Sequence, residues 1–470
     1  MKLFTFFLPA LFLGLSSVPA TASVLCVQEE LAALGYSPGP VDGALGGRTI
    51  GAATQFRSDA GLNLPDLSTE TAGEWCAAVQ GFASSDTSAI LRSPAAFILP
   101  KDVLLDFAAA DPQRRAGFCE TGTGSIADLG NIEPVQKIEG FTSRMLGDVE
   151  RVPGALDAEE FAAGFSAHAA LALAADDADA KGQLLDLLQK WAKGRAFLDT
   201  ASCVRSDGNL IDTGSCREWT VPDGSDLSSM KDATFATFHA VGMIRAYLIA
   251  LAAFEPEARA AQHADIASWI SAIGERLKRP GDVYFGLNMG WYWPGIVNDL
   301  FSDRTAAAVA KLERLQAGME ELVNADGSIE DRTTRGDRAM WYQYTSIGEI
   351  VVSLELIRAA GLPVSEQFEE HLHSAVALLL DAIEDPASID PWAKAAHNAQ
   401  YSGTQEWNFE GWPDENFAGS WLHIYPYRYP QRDEARRLRE LVPVAARSAT
   451  SDTDFGFGLG CIYNSANPDR

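Results

Sequence analysis

Basic residues are scarce in this chain. Lys and Arg total 37 against 64 Asp and Glu in 470 residues, a formal charge of -27, and a field of that sign repels nucleic acid and anionic lipid. Long apolar runs are lacking after the first, Leu3 to Leu15, which contains Pro9 and is shorter than the ~20 residues that span a bilayer. No membrane span is therefore expected in the processed chain. Runs of alternating β-branched residues are few, which argues against a Rossmann sheet, a TIM barrel or a β-sandwich. Also missing are a Gly-x-Ser-x-Gly elbow, a His-Glu-x-x-His site, a phosphate-binding glycine loop and a zinc-type Cys-x-x-Cys. No metal or cofactor is expected.

What remains is an ordinary globular composition, 47% hydrophobic and 21% charged, with length for two or more domains. Lys2 precedes the first apolar run, and Ala20-Thr21-Ala22 offers small residues where signal peptidase cuts. Residues 1–22 are thus expected to be a signal peptide, with the mature chain starting at Ser23 in the periplasm or outside the cell. The six cysteines all follow that cut, and an even count in an exported chain favours disulfides. Six cysteines allow fifteen pairings. Cys26 and Cys76 bracket the first small module, Cys203 and Cys216 a polar loop, and Cys119 with Cys461 would tie the start of the large domain to its end.

Val27, Leu31 and Leu34 follow helical spacing up to Gly35. Pro38-Gly39-Pro40-Val41-Asp42-Gly43 is turn chemistry, and Arg48 to Arg57 reads as a second helix with Ile50, Ala53 and Phe56 facing inward. Gly35-Tyr36, Gly39, Val41-Asp42-Gly43, Thr49, Ala52 and Phe56 together resemble the peptidoglycan-binding type-one domain. The resemblance implies a small helical module over about residues 23–80 that holds cell-wall glycan, or that serves as a rigid spacer. Residues 81–95, small and polar through Ser84-Ser85-Asp86-Thr87-Ser88, read as a linker.

From residue 96 to 470 the periodicity is helical. Glu160–Ala175, Gly182–Phe197, Ser229–Phe254, Ala258–Leu277, Trp291–Phe301, Thr305–Val323, Tyr344–Ala360, Glu366–Leu380 and Asp433–Val444 carry apolar residues at intervals of three and four. So many helices of similar length suggest an all-α fold, an α/α toroid in which one ring of helices packs inside another and leaves a funnel. Gly290-Trp291-Tyr292-Trp293-Pro294 and Trp407-Asn408-Phe409-Glu410-Gly411-Trp412 set aromatic rings beside helix edges, where they suit sugar faces.

Asp326-Gly327, followed by Arg335-Gly336-Asp337-Arg338-Ala339-Met340-Trp341-Tyr342, resembles the stretch Arg-Gly-x-Arg-Ala-x-x-Tyr of the alginate lyase family, the helical poly(mannuronate) lyases. Leu287-Asn288-Met289-Gly290-Trp291-Tyr292 is similar to that family's Asn-Asn-His-Ser-Tyr-Trp, and Ser268-Trp269-Ile270 to its Trp-Leu helix. The resemblance spans about residues 150 to 430. It implies β-elimination on a uronic acid polymer, with an acidic polysaccharide as substrate. Donors must neutralise the carboxylate beside C5 and stabilise the enolate-like charge, roles that fall to Asn288 and Arg335. A base must take the C5 proton and an acid must protonate the departing O4; Tyr342 is the candidate for both, with Arg335 and Arg338 favouring its phenolate. Arg338, Trp291, Tyr292, Trp341, Tyr344 and His239 are candidate substrate contacts. Met289 stands where the family has histidine, which leaves Tyr342 acting alone, a histidine from elsewhere, or a cleft that binds without cleaving.

Two rivals follow from the residues. A non-catalytic wall-glycan-binding protein fits the first module and Met289, and a glycoside hydrolase would use an acidic pair such as Glu320-Glu321 or Glu369-Glu370. The acidic charge opposes a polyanionic substrate at long range, but screening over ~8 Å at physiological salt leaves local arginines in command of a cleft. A positive patch around Tyr342 is therefore the decisive expectation.

Overall fold

The computed structural model describes residues 20–83, 91, 93–119, 124–138, 155–200, 227–276, 305–395, 400–406, 419–441 and 458–467. The chain forms two compact units that divide between Arg92 and Ser93. Every regular element among the described residues is helical, with only an isolated bridge between Val323 and Ile329. The all-α expectation therefore holds for them.

The described part of the first unit is built on α1 (Ala20–Ala33), α2 (Gly47–Asp59) and α3 (Ala72–Ala83). Val27, Leu31 and Leu34 meet Ala53, Phe56, Trp75 and Val79 in its core, and the Cys26–Cys76 disulfide joins α1 to α3 with Cα atoms 5.7 Å apart. Buried Gln28 shapes the intervening loop. Its amide nitrogen donates to the Ala44 carbonyl (3.0 Å) and the Thr49 hydroxyl (3.2 Å), and its oxygen accepts from the Gly43 amide (2.8 Å). Thr49 in turn donates to the Pro38 carbonyl at 2.9 Å. Those bonds rotate α2 so that Thr49, Ala52, Ala53 and Phe56 are buried. Ile50, expected inside, is 40% exposed for that reason. Phe82, read as linker, instead packs edge-on against Phe56 at 5.2 Å, because α3 continues to Ala83.

The second unit opens with α4 (Lys101–Ala109), α5 (Pro112–Phe118) and α6 (Ile126–Gly130). Asp111 caps α5 by accepting from the amides of Gln113 and Arg114, and Ser125 with Asp128 forms a capping box on α6. Then come α7 (Ala155–Ala174), α8 (Ala178–Lys193), α9 (Leu227–Ala246) and α10 (Ala260–Arg276). A π-helical turn, Tyr247–Leu251, extends α9. The longer helices that follow among the described residues are α11 (Thr305–Leu322), α12 (Ala339–Ala359), α13 (Glu366–Glu384), α14 (Trp421–Arg428), α15 (Asp433–Leu441) and α16 (Leu459–Ala466). The short connection between α7 and α8 makes those packed neighbours antiparallel. The expected Trp291–Phe301 helix lies outside the described residues.

Within the second unit, the last described helix returns to the first ones. α16 packs on α4, α5, α7 and α14, and Cys119 bonds Cys461 across a separation of 342 residues. A buried charge cluster reinforces this closure. Glu355 on α12, 1% exposed, pairs with Arg358 at 2.7 Å and with Arg428 of α14 at 2.6 Å. It also accepts from the Tyr463 hydroxyl of α16, while Arg428 reaches Asp102 of α4. Burial pushes the Glu355 carboxyl up, but Arg428 and then Arg358 outweigh that and hold it below the usual range. Cys203 and Cys216 lie outside the described residues.

Candidate active site

The site grows from the turn between α11 and α12. Asp326 accepts from the amide of Ser328 at 3.0 Å and from its hydroxyl at 2.7 Å. Burial raises the Asp326 carboxyl, but those bonds and one from Trp392 bring it below its ordinary value. Gly327 has φ +83°, and a Cβ there would meet the Ser374 carbonyl oxygen at 2.3 Å; only glycine allows the turn to lie this close to α13. Asp331 is also left-handed, with φ 56°, a conformation a non-glycine residue adopts only where its surroundings demand it.

Gln343, fully buried on the first turn of α12, supplies that demand. Its side-chain oxygen accepts from the Thr333 hydroxyl at 2.6 Å, and its nitrogen donates to the carbonyls of Gly327 (2.8 Å) and Ala375 (3.1 Å). One side chain thus fixes the turn to α12 and to α13. From the other side, the 400–406 segment grips the start of α12. Gln405 accepts from the Met340 amide at 2.9 Å and donates to the Gly336 carbonyl at 3.0 Å. Asp337 accepts from the Ser402 hydroxyl at 3.0 Å. These contacts start the helix at Ala339, ahead of the Tyr344 expected from periodicity.

Tyr342, half-buried on that first turn, is ringed by cations. The central guanidinium carbons of Arg335 and Arg332 stand 5.2 and 5.4 Å from its ring centroid, within cation–π range. Arg335 donates to the Asp331 carbonyl at 2.7 Å and pairs with its carboxylate at 2.6 Å. Arg338 pairs with Glu406 at 2.7 Å. Glu406 first, and the Tyr342 phenol less, raise the basicity of Arg338 against the effect of burial. Of the three arginines near Tyr342, two already hold carboxylates. Such half-exposed pairs are worth ~0–1 kcal/mol, so an arriving acid can compete for them.

Trp341 is half-buried and meets Tyr342 edge-on at 4.8 Å. Tyr344 is 1% exposed and packs against Trp421 at 5.7 Å, a core position rather than a groove wall. His239 is 5% exposed, with its ring 6.2 Å from that of Phe197, and so sits in the core. Asn288, Met289, Trp291 and Tyr292 lie outside the described residues. Three of the four acids of the hydrolase reading are engaged elsewhere: Glu369 pairs with Arg358, Glu370 with Arg432, and Glu320 accepts from Gln316 and Ser365. Among the described residues no group of His, Cys, Asp or Glu is placed to hold a metal ion. Arg332 and Gln343 were missed by sequence reasoning.

A partly buried tyrosine thus stands beside two guanidinium groups at the start of α12. Residues 297–389 match the family model for alginate lyase, a span that includes Arg335, Arg338, Trp341 and Tyr342, and this match supports a polysaccharide lyase. The chain is similar to alginate lyase A1-III from Sphingomonas species A1, with 16% identity over 74% of this chain and 92% of that one and a TM-score of 0.49. It is also similar to a histidine-to-alanine variant of A1-III complexed with a tetrasaccharide, with 16% identity over 75% and 92% and a TM-score of 0.46. An alginate lyase from Bacteroides ovatus shares 13% identity over 82% of this chain and 96% of its own, with a TM-score of 0.42. No curated protein matches the chain.

Proposed function

We propose that this protein is an exported polysaccharide lyase that cleaves a uronic-acid polymer of the mannuronan or glucuronan type by β-elimination, with Tyr342 as both base and acid. The observation that carries this reading is the half-exposed phenol of Tyr342 flanked by guanidinium groups at 5.2 and 5.4 Å, inside the span that matches the alginate lyase model. The Tyr342 oxygen takes the C5 proton. The C5–H electron pair becomes the C4=C5 double bond, the C4–O4 bond breaks, and O4 takes a proton back from Tyr342. Arginine, with Asn288 from the Leu287-Asn288-Met289 segment, counters the negative charge that grows on the carboxylate.

A single residue suffices for both transfers where the C5 proton and O4 are reachable from one side, so Met289 in place of histidine is compatible with the chemistry. The helices that close the second unit support the α/α toroid, and the disulfides Cys26–Cys76 and Cys119–Cys461 support passage through an oxidising compartment, the periplasm or beyond. The first unit, with its Gln28-braced loop, serves in this reading as a module for cell-wall glycan.

Incubating the mature chain with mannuronan, glucuronan and peptidoglycan tests the proposal. Ultraviolet absorbance of an unsaturated uronate is expected with a polyuronate, and replacing Tyr342→Phe should abolish it while binding persists. Reducing ends without that absorbance would mean hydrolysis. Binding without either product would mean a glycan-binding protein.

A further inference from the structure

Glu406 reaches the candidate site from outside the turn that builds it. Its carboxylate accepts from Arg338 Nε at 2.7 Å, and the backbone fixes its place. The Glu406 amide donates to the Asp337 carbonyl at 2.6 Å, while neighbouring Gln405 donates to the Gly336 carbonyl and accepts from the Met340 amide. An exposed ion pair is ordinarily weak, partly because two long side chains must be ordered to form it; here the chain itself delivers one partner. Arg338 lies four residues before Tyr342, about one helical turn away, and the phenol acts on it both by charge and by hydrogen bonding. One guanidinium therefore answers to two groups, the Glu406 carboxylate and the Tyr342 hydroxyl.

The other charges around the ring are engaged differently. Arg335 pairs with Asp331 at 2.6 Å, Asp337 accepts from the Ser402 amide and hydroxyl, and Arg332 stands against the ring itself. α13 presents Ser374 and Ala375 to the turn. The short helix Asp390–Ala393, packed on Gly336–Arg338, closes its own charge, with Asp390 and Lys394 paired at 2.9 Å. Among the described residues, Glu406 is the carboxylate that competes with the Tyr342 oxygen for a shared guanidinium.

We propose that Glu406 is a positioning residue that takes up part of the Arg338 charge and so sets the lowest pH at which Tyr342 works as a base, an inference that rests on the lyase reading and deepens it. An anion on Arg338 weakens the field that favours phenolate, and removing the anion strengthens it. A phenol that ionises more readily is also a weaker base, so a larger ionised fraction is offset by slower proton abstraction. Glu406 thus gives up activity at low pH for a faster step at high pH.

The test follows kcat/KM for polyuronate elimination against pH in the full mature chain. It compares the wild type with Glu406→Gln, Glu406→Asp and Arg338→Met on one polymer, so that substrate ionisation is common to all. Glutamine keeps an oxygen for Arg338 and the backbone bonds of the segment, and removes only the charge. The rising limb of the Gln variant should move to lower pH by about 0.5 unit or more. On that limb the variant should outpace the wild type, and its plateau should fall. Glu406→Asp should restore the wild-type limb, and Arg338→Met should move it to higher pH. An unmoved limb in Glu406→Gln, while the wild type eliminates, overturns this role and leaves the lyase reading intact. A Gln variant slower than the wild type at every pH, with a lower melting temperature, identifies Glu406 as a structural brace and also overturns it. A wild type that forms no unsaturated uronate from any polyuronate overturns the lyase reading and this inference together.

Discussion

Replacing Gln343→Leu separates what holds the site from what acts in it. Gln343 is fully buried and makes three hydrogen bonds, to Thr333 at 2.6 Å, Gly327 at 2.8 Å and Ala375 at 3.1 Å. Leucine keeps much of the volume and loses all three. At about 1 kcal/mol net per bond the loss is about 3 kcal/mol, and more where the Gly327 and Ala375 carbonyls are left buried without donors. The left-handed turn at Asp331 loses its brace with them, so Arg332 and Arg335 no longer stand over Tyr342. Urea unfolding of the second unit should show a stability loss of about 3 kcal/mol, and polyuronate elimination should fall as well. Tyr342→Phe, one residue away and half-exposed, should change stability by no more than about 0.5 kcal/mol while abolishing elimination. A Gln343→Leu variant destabilised by less than about 1 kcal/mol, with elimination retained, would refute the view that this side chain fixes the turn.

Two further predictions concern the scaffold. Glu355→Gln should destabilise the second unit by about 3–5 kcal/mol, because it breaks a buried pair network and leaves Arg358 and Arg428 less compensated. The wild-type carboxyl titrates lower folded than unfolded, so its contribution is present above the ordinary glutamate range and is lost as pH falls through the depressed folded value; urea midpoints across acidic pH should drop less steeply in the variant. Reducing Cys26–Cys76, which closes a separation of 50 residues, should cost the first unit about 4 kcal/mol in the chain-entropy account, read as a lower melting temperature of that unit in reductant.

The helices of the second unit were legible because their apolar spacing is local, and Thr305–Leu322 and Glu366–Glu384 start where the pattern starts. The misjudged boundaries have distant causes. Ile50 faces out because Gln28 and Pro38 claim the hydroxyl of Thr49, and α12 begins early because Gln405, far along the chain, receives the Met340 amide. Arg332 was illegible for the same reason. Glu330-Asp331-Arg332-Thr333-Thr334-Arg335 has the composition of a solvated face, and only the bonds from Gln343 bring its middle under cover.

Tyr344 is different, since its place could have been read locally. Two residues along an α-helix turn the side chain by about 200°, so if Tyr342 faces a groove, Tyr344 must face nearly the opposite way. The structure has Tyr342 half-exposed among arginines and Tyr344 buried against Trp421. Helical phase therefore ties the two rings together: any arrangement that brought Tyr344 to substrate would carry Tyr342 into the core, and with it the one phenol that the neighbouring guanidinium groups surround.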